Sequence, residues 1–164
     1  MRNGYAKNIA LGGVLAALAV VIMSLGGLIP VATFICPVLC MILGTVILKH
    51  CGHRISWAWY AVVAILSMLL GPDKEAAVVY LLFGYYPIIQ HAFDKLRFGF
   101  LCKLLYFNGV VIVLYLLILR LFGLQDVVSE YMALGVAGVV LILLLGNAAF
   151  FLLDRLLVRV LHRR

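Results

Sequence analysis

Acidic side chains are scarce in this chain: six Asp and Glu stand against thirteen Lys and Arg in 164 residues, and only 12% of positions are charged. No Ser/Pro-rich tract, charge run or low-complexity stretch marks a linker, and the polar gaps are only about two to thirteen residues long, so no soluble domain is left over. No Walker motif, HExxH helix or Ser/His/Asp constellation occurs, and no pair of acids inside an apolar run offers a metal or general acid–base site. The chain of intramembrane acids and bases that a proton-driven pump needs is missing too. Nor is there an internal repeat of the kind that builds a transporter from two inverted halves. The expectation is a non-enzyme with no energy source and no cofactor of its own.

What is there is apolar: 67% of the chain is hydrophobic. The apolar runs fall at about 8–28, 31–48, 55–70, 76–90, 104–118 and 132–158, six stretches that read as membrane spans, some a little short and the last long enough to tilt or protrude. The basic residues fall in alternate gaps. Arg2 and Lys7, then Lys49 and Arg54, then Lys95, Arg97 and Lys103, then Arg155, Arg159, Arg163 and Arg164 share one side. Only Lys74 and Arg120 fall on the other, with Asp73, Glu75, Asp126 and Glu130. The positive-inside rule then places both termini in the cytoplasm. Topology accounts for the net charge of +7, and a nucleic-acid partner is unnecessary. The predicted fold class is all-α: a single polytopic membrane domain over 1–164 with six transmembrane helices.

The first span has the basic flank of a signal peptide, but its apolar stretch is longer than a signal core and a second span follows Pro30 directly, so it is expected to be retained. Four cysteines occur, Cys36, Cys40, Cys51 and Cys102. Cys36 and Cys40 share a helix face, and His50-Cys51-Gly52-His53 offers ligands in a cytoplasmic turn. Apolar filling and an interfacial turn explain them more simply than a metal does. Trp57, Trp59 and Tyr60 read as a cytoplasmic aromatic belt.

Small residues organise the first span. Ala6, Ala10, Gly13 and Ala17 form one stripe, and Gly12, Ala16 and Ala19 a second beside it; each permits close approach of another helix, within the subunit or from a partner. Gly26, Gly27 and Pro30 end that span, and the segment 26–34 is either a tight hairpin or the wall of an outward pocket. Pro72-Asp73-Lys74-Glu75 suits a helix start, and these charges, with Arg120, also rim the outer side. Gly84 and Pro87 put an irregularity in the fourth span. Asn108 and Asn147 read as interhelical glue. Tyr80, Tyr115, Arg120, Glu130 and Tyr131 fall in the outer half by depth.

A helix count of six, inward termini and the alanine-rich stretch ALGGVLAALAVVIM from Ala10 to Met23 together resemble the substrate-binding S components of energy-coupling factor (ECF) vitamin transporters. In that family an Ala-xxx-Ala type motif on the first helix docks on a shared coupling subunit; Ala6/Ala10 and Gly13/Ala17 look equivalent here. The resemblance implies a bacterial inner or plasma membrane location, a coupling subunit with two ATPases as partners, and capture of a small vitamin-like solute from outside. Lys74 and Arg120 would hold an anionic group, Asp73 and Glu75 a polar or cationic one, and Tyr80 and Tyr115 a ring. No signature of the riboflavin, thiamine, biotin or folate binders is present. The chain is also similar in size and helix count to the rod-shape-determining MreD-type proteins, non-catalytic scaffolds that bind other membrane proteins. A third expectation, an enzyme acting on a lipid head group through Asp73 and Glu75, lacks any recognised catalytic spacing.

Overall fold

A computed structural model describes residues 2–26, 32–117 and 135–162. Among them the chain is helical with no strand: α1 (Arg2–Leu25), α2 (Ala32–Cys51), α3 (His53–Leu70), α4 (Lys74–Phe83), α5 (Tyr86–Asp94), α6 (Gly99–Leu117) and α7 (Gly135–His162). Five helical stretches are long and apolar enough to cross a bilayer, α4 and α5 counting together as one, and α6 adds a shorter apolar helix over Gly99–Leu114. These match the six apolar runs read from the sequence. Large apolar side chains such as Val14, Leu69 and Leu152 are about seven-tenths exposed (68%, 71% and 69%). Such a surface is costly in water and ordinary against lipid. The chain is a polytopic α-helical membrane protein.

The helices fall into two compact units. The first comprises Met1–Ala92 with Leu157–Arg164, and the second Phe93–Leu156. In the first, α1 packs on α2 and α3, and α4 packs on the same two helices. The inner stripe of α1 makes this possible: Ala16 and Ala19 are buried, Ala19 O accepts a hydrogen bond from Cys40 Sγ at 3.5 Å, and Gly12 faces Ile55 of α3. Gly44 of α2 does the same for Trp59. A methyl added there would meet the indole at 3.0 Å.

The turn between α2 and α3 is a single residue, Gly52, with φ 82° and ψ 174°, a region that L side chains rarely enter. At this end Asn8 Nδ2 donates to His50 O at 3.5 Å, and Lys49 Nζ donates to Val160 O at 3.2 Å in the last turn of α7. Three of the four basic gaps thus meet at one end of the unit, as the charge alternation requires. The α4–α5 break at Gly84–Tyr85 follows from Pro87, which has no N–H for the carbonyl of Phe83, and Gly84 N closes α4 on Tyr80 O at 2.6 Å.

The aromatic belt is corrected by the fold. Trp57 stays 40% exposed, stacks on Tyr85 and donates to His53 Nε2 at 3.0 Å. Trp59 turns inward and is 5% exposed, while Tyr60 donates to Leu81 O at 2.6 Å. Residues two apart on a helix point to nearly opposite faces, so Trp57 and Trp59 cannot both anchor at the same lipid surface.

In the second unit, α6 and α7 are joined by Phe100 stacked on Phe151 and Phe107 stacked on Phe150. Asn108 and Asn147 pair reciprocally, Nδ2 to Oδ1 at 3.2 and 3.4 Å, while each also donates to the carbonyl four residues earlier. The glue expected of these two amides is what they supply.

Candidate functional site

The outer-side candidates are drawn first into holding helix ends. Asp73 caps α4, its Oδ1 accepting from Ala76 N at 3.0 Å, which satisfies one of the free donors of a first helical turn. Its Oδ2 accepts from Thr33 Oγ1 of α2 at 2.7 Å. Gly26, at the end of α1, lies close enough that an added methyl would be 3.6 Å from Cys36 Sγ and 3.8 Å from Asp73 Oδ2. One carboxylate therefore ties α2 to the start of α4, close beside the end of α1.

Lys74 serves the neighbouring terminus. Its Nζ donates to Met68 O at 2.8 Å and Gly71 O at 2.9 Å, closing carbonyls that the end of α3 leaves open. That uses two of the three ammonium donors. Glu75 sits in the first turn of α4, half-buried, and has no partner among the described residues.

Tyr80 is fully buried, beside Tyr60 at 5.9 Å between ring centroids. Its hydroxyl has no partner among the described residues, and neither do the buried Trp59 Nε1 and Ser67 Oγ. Buried polar atoms are normally paired, so each is a place where a small polar molecule has something to bond. The structure thus brings Asp73, Lys74 and Glu75 to one end and puts Tyr80 roughly two turns deeper in α4. Tyr115 lies on α6, but its side chain, with Arg120, Asp126, Glu130 and Tyr131, is outside the described residues. The segment 27–31 between α1 and α2 is outside them as well.

The two stripes of α1 part company. Gly12, Ala16 and Ala19 are buried, whereas Ala6, Ala10, Gly13 and Ala17 are exposed, and nothing lies within 4 Å of a methyl added at Gly13. Among the described residues the outer stripe is an uncovered helix face.

At the α2–α3 turn, three of the residues that could suggest a metal make bonds within the protein. His50 Nδ1 donates to Val46 O at 2.9 Å, Cys51 Sγ to Asn8 O at 3.6 Å, and His53 Nε2 accepts from Trp57. No three His, Cys, Asp or Glu converge among the described residues.

Sequence reasoning missed one constellation. Lys103, 6% exposed, donates to Asp94 Oδ1 at 2.6 Å and to Asp154 Oδ2 at 2.8 Å, joining the end of α5, the start of α6 and the inner part of α7. Asp154 within the last apolar run was the available signal, since an acid at such a position needs a partner.

These features define a polytopic membrane protein with a capped outer end, an unpartnered buried tyrosine hydroxyl and a free small-residue face. No family model matches the chain, and no curated protein or solved structure does either.

Proposed function

We propose that this chain is the substrate-binding membrane subunit of an ECF-type importer, which captures a small vitamin-like solute outside a bacterial plasma membrane and docks on a coupling subunit carrying two ATPases. The observation that carries the reading is the outward stripe Ala6, Ala10, Gly13 and Ala17. Small residues on a lipid-facing helix surface cost dispersion contacts and return them only when another helix lies close. The inner stripe is the one buried where α1 packs on α2 and α3, and the outer one is exposed among the described residues. In this reading Glu75, the third donor of Lys74 and the Tyr80 hydroxyl contact the solute.

A second reading, an MreD-type scaffold in cell-envelope assembly, is favoured by the work Asp73 and Lys74 already do as helix caps, which leaves fewer groups for a solute. Both readings use the stripe for a partner; they differ in whether a solute binds.

The test is co-expression of the tagged protein with an ECF coupling subunit and its ATPases, followed by pull-down in mild detergent. A stoichiometric complex that Ala10→Leu or Gly13→Leu abolishes supports the importer reading, because both positions are exposed in the free protein. A folded protein and intact module with no complex refute it. A vitamin panel scored by thermal stabilisation then tests the solute.

A further inference from the structure

We propose that a groove where the start of α1 meets the end of α2 is a binding site for one anionic phospholipid. The groove has a volume of about 460 Å³ and is lined by Lys7, Asn8, Ala10, Leu11, Val14 and His50. Its chemistry divides along α1. Lys7, Asn8 and His50 form a cationic, hydrogen-bonding mouth at the helix end; Ala10, Leu11 and Val14 form an apolar wall over the next two turns. From Lys7 to Val14 the helix rises roughly 10 Å, about the depth over which a headgroup gives way to acyl chain.

The mouth lacks a protein counter-charge. Of the acids that are described, Asp94 and Asp154 are held by Lys103, and Asp73 and Glu75 belong to the start of α4 at the other end of the unit. Lys7 is exposed and has no partner among the described residues. The hydrogen bond from His50 Nδ1 to Val46 O fixes the ring and leaves Nε2 as an acceptor for a headgroup hydroxyl, with the phosphate oxygens falling to Lys7. Lys49 and Arg54, both exposed, add positive charge to the same turn. A phosphodiester matches this mouth, and an acyl chain matches the wall and the exposed Leu18 and Val21 beyond it, which are 46% and 55% exposed. Basic pockets between helices on the cytoplasmic side of membrane proteins bind anionic headgroups on the same grounds. The inference uses no solute and no partner subunit; it shares Ala10 with the docking stripe, so Lys7→Gln, which leaves that stripe unchanged, separates the two readings.

Native mass spectrometry of the full chain in detergent, titrated with phosphatidylglycerol and with phosphatidylcholine of the same acyl chains, tests it. One phosphatidylglycerol adduct is expected to form with at least about fivefold preference, and Lys7→Gln should remove about fivefold of that affinity, the effect of one cation at a membrane surface. Ala10→Trp, which fills the groove, should abolish the adduct, while Arg159→Gln, an exposed cation at the same end that does not line the groove, should not change it. Equal binding of the two lipids overturns the proposal. So does an equal loss on Arg159→Gln, which would mean diffuse charge, or tight binding of glycerol phosphate alone, which would mean a chain-independent anion site. Should Ala10→Trp fail to fold, Lys7→Gln decides by itself, because its side chain has no described bond to lose.

Discussion

Replacing Lys103 with Met should be among the most damaging single changes in this protein. The ammonium is 6% exposed as a residue and bridges Asp94 at 2.6 Å and Asp154 at 2.8 Å. The two acids differ in environment: the Asp94 side chain is 42% exposed, that of Asp154 only 11%. Methionine keeps the length and most of the apolar contact, so the change isolates the charge. It takes from the buried Asp154 carboxylate the ammonium that pairs with it, and breaking a buried pair this way costs about 3–5 kcal/mol. Asp94→Asn should cost about 1 kcal/mol or less, because water screens that partner. The double variant Lys103→Met/Asp154→Leu should recover much of the loss, since a matched apolar pair often equals a buried ion pair. Unfolding by denaturing detergent in mixed micelles, followed by circular dichroism, gives these free energies, and the single variant Asp154→Leu closes the Lys103/Asp154 mutant cycle. Equal costs for Asp94→Asn and Lys103→Met, or no recovery in the double variant, would refute the claim that burial of Asp154 sets the magnitude.

Asn108→Leu should destabilise the α6–α7 contact by about 0.6–2 kcal/mol in the same assay, and Asn147→Leu added to it should cost little more, because the two amides share one interaction. Gly44→Ala should lower the melting temperature modestly and Gly44→Leu severely, as the first methyl already meets Trp59 at 3.0 Å. Tyr80→Phe should leave the ligand-free protein as stable or more so, by up to about 1–3 kcal/mol, since it removes a buried hydroxyl with no described partner. It should also abolish thermal stabilisation by any solute that bonds there; unchanged stabilisation would remove Tyr80 from the site.

The helices could be read in number and approximate place, with ends missed by up to six residues at Arg2 and five at Gly99, because their cause is local. A run of apolar residues long enough to span the bilayer must satisfy its own backbone, and only a helix does so. The break before Pro87 and the start at Asp73 were legible for the same reason: a missing N–H and a capping carboxylate act within one turn. Asn108 and Asn147 were legible as polar groups needing a partner, though not as partners of each other. Side-chain tasks at the outer end were not legible. Asp73, Lys74 and Glu75 look alike as a charged cluster, yet one bonds Thr33 across the unit, one closes the preceding helix, and one has no described partner.

Sequence alone thus determined the class of this protein, its helices and which gaps share a side, because bilayer thickness and the cost of moving charge across it act on short stretches of chain. Only the tertiary structure decided which stripe of α1 is buried, that Trp59 faces Gly44 while Trp57 faces outward, and that Lys103 lies between Asp94 and Asp154. Those outcomes depend on which helices become neighbours and how each is rotated about its axis. A uniformly apolar helix carries no strong periodic signal to set that rotation, so packing sets it.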